Sequence, residues 1–205
     1  MSGDPHRPRL RGRPKIGGAG DPVVFVADEQ IAVAVDAPRW ASLAEQVLIA
    51  EGVRGNAELS LLFVEEEDIA ELNLQFLGKG GPTDVLAFPI DADEIAPSVP
   101  PMADKSGPDR SPLDREDLPL LLGDIVVCPA VAVRQAPTHA GTPDDEIALL
   151  IVHGLLHVLG HDHAEAEETA VMRNRERELL EELHWQGPAP AGFRQEHPDD
   201  PEDTE

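Results

Sequence analysis

The stretch LLIVHGLLHVLGHDHAEAEE, Leu149 to Glu168, begins as an apolar helix yet holds His153, His157, His161 and His163, four of the chain's 8 histidines. His153 and His157 are four residues apart, so both rings lie on one helix face, one turn apart, within reach of a single metal ion. Gly160 ends the helix and His161-Asp162-His163 follows at once, so that a third ring can swing back toward the first two. Neutral imidazole nitrogen is a common zinc ligand, and a three-histidine site leaves a fourth position for water. One histidine on an apolar helix is ordinarily a core residue with a satisfied partner. Two at i,i+4 followed by a glycine-hinged pair fit a metal site far better than packing. Spacing alone leaves open whether His161 or His163 is the third ligand. Asp162, with Glu165 three residues on, is a candidate N-cap of the next helix, and either carboxylate is a candidate support for a ligand ring.

Zinc peptidases use H-E-x-x-H, in which the glutamate beside the first ligand is the general base. Here that place is Gly154. The base is missing, and the glycine is suited instead to the close approach of another segment. No other residue stands out as a catalytic base. Asp84 and Asp124 are weak candidates whose simpler role is in a turn or cap. Cys128, the single cysteine, has no basic neighbour in sequence and reads as buried filler rather than a reactive thiol. It excludes an intramolecular disulfide and a cysteine zinc cluster, and it suits a reducing compartment.

These residues need a scaffold. The chain has 205 residues, 41% hydrophobic but only 3% aromatic, so a single domain with an aliphatic core is expected. The formal charge of −24 repels polyanions at long range and requires any nucleic-acid contact to rest on locally gathered basic residues. No apolar run reaches the length of a membrane span, and the N-terminus lacks the apolar core of a secretory signal, which points to a cytoplasmic protein. Residues 1–21 read as a disordered basic arm, 92–119 as a flexible acidic, Pro-rich insertion, and 186–205 as a disordered acidic tail. The remainder, within 22–185, reads β-α-β-α-β-β-α-α-α. Its strands are PVVFVADEQIAV, AELSLLFVE, TDVLAFPI and GDIVVCP. Such an order predicts an α+β fold with one small mixed sheet of about four strands and helices packed on it.

HGLLHVLGHDH resembles the signature H-G-x-L-H-L-x-G-Y-D-H of the YbeY endoribonucleases, bacterial factors of ribosomal RNA maturation. LNLQFLGKGGPTDVLAFPID resembles the family segment L-N-x-x-[YF]-R-G-K-x-x-P-T-D-V-L-S-F-P, and GDIVVC the family's G-D-I-V-I-[SC]. The motifs stand in the family's order, and the resemblance spans roughly 22–185. It implies an α+β fold around a cleft and one zinc ion per chain on His153, His157 and His163. His161 then takes the place of a tyrosine. It also implies metal-dependent cleavage of single-stranded RNA in maturation of the 3′ end of small-subunit ribosomal RNA and in ribosome quality control. The implied partners are ribosomal RNA, the small subunit and its assembly factors.

Two departures bear on RNA. Leu77 stands where the family has an arginine, and Ala87 where it has a serine. Lys79 is retained and is the candidate for phosphate binding, although lysine does not reproduce a bidentate arginine. Other sources of positive charge are Arg134 and the arm, with Arg7, Arg9, Arg11, Arg13 and Lys15. With few aromatics for base stacking, specificity is expected to come from the ribosome or a partner. The alternative is an assembly factor whose metal is mainly structural.

Overall fold

The computed structural model describes residues 20–90, 119–161 and 166–195. The expectations for the basic arm, nearly all of the acidic insertion, Asp162, His163, Glu165 and the last ten residues lie outside these. Four strands form one sheet: β1 (Val23–Asp28), β2 (Ala57–Phe63), β3 (Val85–Pro89) and β4 (Leu120–Val127). Their order is β1-β2-β4-β3. β1, β2 and β4 run parallel, and β3 closes the edge antiparallel to β4. The helices are α1 (Ala37–Ala50), α2 (Glu66–Leu77), α3 (Pro129–Gln135), α4 (Pro143–Val158) and α5 (Ala166–Leu179). This is the mixed sheet and α+β class that the strand and helix patterns predict.

Alternation along β2 sorts the layers. Ala57, Leu59, Leu61 and Phe63 are buried on the face covered by α1 and α4, together with Ile125 and Val127 of β4. Leu62, Leu86 and Val126 point to the other face, where Ile69 of α2 and Val131 of α3 cover them. α4 is buried almost all round from Ile147 to Leu156, which is why its sequence shows little amphipathic period. Each of its buried leucines and isoleucines contributes at most about 1.5–3 kcal/mol, so the helix that carries the histidines is fixed by the core itself.

β4 begins three residues before the expected GDIVVCP. Leu120 and Leu121 pair with Ala57 and Glu58, and the register slips by one residue before Leu59 meets Gly123. The slip leaves Leu122 as a bulge, and Gly123 sits at φ 148°. A glycine in an apolar run reads as a boundary. Here it lets the strand continue.

The N-terminus of α4 is tied to the last helical turn. Thr142 caps the helix, accepting from the Asp145 amide at 3.1 Å, while its hydroxyl donates to Asp145 Oδ2 at 2.6 Å. Asp145 Oδ1 accepts from Trp185 Nε1 at 2.6 Å and from His184 Nε2 at 2.9 Å. Burial works against ionisation of Asp145, but the bonds from Thr142, Trp185 and His184 outweigh it and hold its pKa below the ordinary carboxylate value. A depressed carboxylate pKa stabilises the fold fully above the unfolded value near 4, and that contribution is lost as pH falls through the folded value. Asp145→Asn is therefore expected to lose about 1–3 kcal/mol in urea unfolding at pH 7, and the gap from wild type should close as the pH is lowered below about 4. A gap that persists unchanged at pH 3 would count against this linkage.

Candidate metal centre

α4 ends in a reciprocal turn. Gly160, at φ 87°, lets the chain reverse while its amide donates to the His157 carbonyl and the His161 amide to the Leu156 carbonyl, each at 2.9 Å. This turn brings the His161 carbonyl under the His157 ring, and His157 Nδ1–H donates to it at 3.1 Å. One turn earlier on the helix, His153 Nδ1–H donates to Glu176 Oε1 of α5 at 2.8 Å. A backbone carbonyl can only accept, and so can an ionised carboxylate, so both rings carry their proton on Nδ1.

The two Nε2 atoms then face each other 3.1 Å apart, each with its lone pair on the side away from its Nδ1 partner. Two lone pairs at that separation repel unless a cation lies between or beside them. Imidazoles with Nδ1 held by an outer acceptor and Nε2 directed inward match the arrangement of histidine metal ligands. The donor set thus fits a divalent ion such as zinc at His153 and His157. The His153 side chain is 12% exposed and that of Glu176 4%, which places the pair at the rim of the core.

The His161 ring turns away from this pair. Its Nε2 lies 3.7 Å from Glu51 Oε2, and Arg175 Nε donates to the other oxygen of Glu51 at 2.6 Å. Of the four histidines in the motif, the structure therefore brings together His153 and His157 and assigns His161 a backbone role. His163 lies outside the described residues. Gly154 performs packing. A Cβ there would meet Ile125 Cγ2 of β4 at 3.0 Å. The segment that approaches it closely is thus the sheet beneath the helix, on the side facing the core.

The remaining candidates fall apart from the histidines or are already engaged. Asp84 is buried at the start of β3, where its Oδ1 accepts from the Val85 amide and the Thr83 hydroxyl, the turn role expected of it. Asp124 lies in β4 opposite Phe88. Cys128 is buried, and burial pushes its thiol pKa up, which keeps it unreactive. Arg134 donates two bonds to Glu66, at 2.6 and 3.1 Å, and this pairing lowers the Glu66 pKa. The pair is exposed, with the Arg134 side chain 57% accessible. Lys79 is exposed just past the C-terminus of α2. Beside it in sequence Leu74, Phe76 and Leu77 are also exposed, Leu77 at 56%.

Two residues of the site were not foreseen. Glu176 sits in RNRERELLEE, a run that reads as a solvated helix face, yet it is buried. By composition Gln195 reads as part of the acidic tail. Residues 186–195 instead lie on the fold: Phe193 packs edge-on against Trp185 at 4.7 Å, the Arg194 amide donates to the His139 carbonyl, and Gln195 reaches Glu176. The legible signal was the lone phenylalanine in an otherwise polar, Pro-rich stretch.

Comparison with known proteins gives the family and the fold. A family model described as Endoribonuclease YbeY matches residues 25–184. A protein of that name from Thermobifida fusca is 43% identical over 157 residues, 77% of this chain and 91% of its own length. Another from Frankia casuarinae is 42% identical over 164 residues, 80% of this chain and 75% of its own. The solution structure of TM1509 from Thermotoga maritima shares the fold, with a TM-score of 0.51 and 23% identity, over 80% of this chain and 90% of that one.

Proposed function

Because the chain belongs to the YbeY endoribonuclease family, we propose that it is a metal-dependent endoribonuclease that cleaves single-stranded RNA in maturing the 3′ end of small-subunit ribosomal RNA. One zinc ion per chain would be held by His153, His157 and His163. The observation that carries the reading is the pair of inward Nε2 atoms, 3.1 Å apart, each on a ring whose Nδ1 is already occupied. When bound, zinc polarises a phosphodiester and promotes ionisation of water near neutral pH. The chain's own part is positional. Glu176 and the His161 carbonyl lock the tautomers, α4 fixes the ring spacing, and Lys79 offers charge to a phosphate.

No helix among the described residues is long and apolar enough to cross a membrane. The working place proposed here is the cytoplasm, on the small subunit with its assembly factors and in ribosome quality control. A strongly acidic chain with few aromatics leaves RNA selection to those partners. Exposed Leu77, at the place where the family segment that this chain resembles has an arginine, favours a second reading: an assembly factor whose metal is mainly structural.

Metal removal tests the first reading. A chelator-stripped chain is expected to lose cleavage of a single-stranded ribosomal RNA precursor, to regain it with one equivalent of zinc, and to leave duplex RNA intact. Undiminished cleavage by the metal-free chain would refute it. A fully metallated wild type that folds and does not cut would leave the assembly-factor reading.

A further inference from the structure

The support of the histidine pair extends one bond further than Glu176. Gln195 Nε2 donates to Glu176 Oε2 at 3.3 Å and to the Arg173 carbonyl at 2.9 Å. Its Oε1 in turn accepts from Arg177 Nε at 3.3 Å. The side-chain amide is thus engaged at both ends on α5, with its nitrogen turned toward the carboxylate. The backbone that delivers it is anchored twice, by the Phe193–Trp185 ring contact and by the Arg194 amide on the His139 carbonyl. A carboxylate rotates freely about its last bond unless both oxygens are held. With Oε1 on His153 and Oε2 on Gln195, the plane of Glu176 is fixed, and with it the direction of His153 Nε2.

We infer that Gln195 is a positioning residue of the metal centre, acting through Glu176, and that the 186–195 strap is part of the working site. This rests on the metal-site reading above. Removing an outer partner of a ligating histidine typically lowers metal affinity about 10–100-fold, and Gln195 stands one step beyond such a partner. Gln195→Ala in the full chain is therefore expected to weaken zinc binding about three- to tenfold in chelator competition. Imidazole ¹⁵N spectra of the metal-free chain should show His153 changing from one tautomer to a mixture. Gln195→Glu keeps the length and the packing but turns an acceptor toward Glu176, so it is expected to do no better than alanine. A role in packing alone predicts that glutamate restores binding.

The outcomes separate cleanly. Wild type and Gln195→Ala binding zinc within twofold, with unmixed His153 tautomers, would overturn this inference and leave the metal centre standing. A wild-type chain that takes up no zinc would overturn both. Restored affinity in Gln195→Glu would assign the residue to packing and overturn the inference.

Discussion

His157→Ala is expected to lower cleavage of single-stranded ribosomal RNA precursor by at least about a hundredfold, on the order of 3 kcal/mol of transition-state stabilisation. The substitution removes one of the two facing nitrogens and leaves His153 with Glu176 behind it. Bound zinc per chain should fall in parallel. The fold should not, because His157 is half-buried at the last turn of α4, and that helix is seated by Ile147 to Leu156. Metal content, melting midpoint and cleavage measured on the same preparation therefore give a distinct pattern: activity and zinc lost, stability kept. Equal cleavage by variant and wild type would place the reaction elsewhere. Loss of zinc with no change in an already absent cleavage would point to the assembly-factor reading.

Gly123→Ala is expected to strike the fold instead. Gly123 adopts φ 148°, a region that only glycine occupies without strain, at a cost of about 1–3 kcal/mol for other residues. A Cβ there would also overlap the Phe88 carbonyl oxygen of β3, which is backbone and cannot swing aside. The combined cost is expected to exceed about 3 kcal/mol, a large share of the 5–15 kcal/mol that holds a domain together. The melting midpoint should drop by about 6–12 °C. Among the described residues β3 is the edge strand, paired only with β4, so it is the element that gives way. Its displacement should loosen Asp84, the loop that carries Lys79 and the face of α4 that packs on β3. Zinc bound at temperatures below the transition should still match wild type, because α4 at Gly154 rests on Ile125 of β4. A variant as stable as wild type would show that the bulge at Leu122 is not fixed as described.

The two effects differ in how far they could be read from the chain. The histidine pair was legible because helical periodicity is local: four residues on α4 fix two rings whatever the rest of the fold does. A small mixed sheet of about four strands with helices packed on it also followed from local signals, strands and helices in alternation with turn residues between them, whereas the strand order came only with the structure. The groups that hold the rings were not legible. Glu176 is 23 residues from His153, and only the packing of α5 on α4 turns it inward. Read alone, RNRERELLEE has the charge pattern of a solvated face. Gln195 lay behind a stronger signal still, a Pro-rich acidic composition that describes the average of a segment and not the one aromatic that anchors it. Gly123 failed for a third reason: a glycine marks an end or a bulge with equal right, and the choice is made by the partner strand.

The seat of Gly154 on Ile125 carries a last consequence, for redesign. A glutamate placed beside the first histidine, the change that would imitate a peptidase, crowds that position, since its Cβ comes to 3.0 Å from Ile125 Cγ2 and the isoleucine must give way. Such a change is thus opposed by the β4 floor beneath the helix. An engineer would have to excavate beneath α4 first, and would forfeit part of the core in doing so.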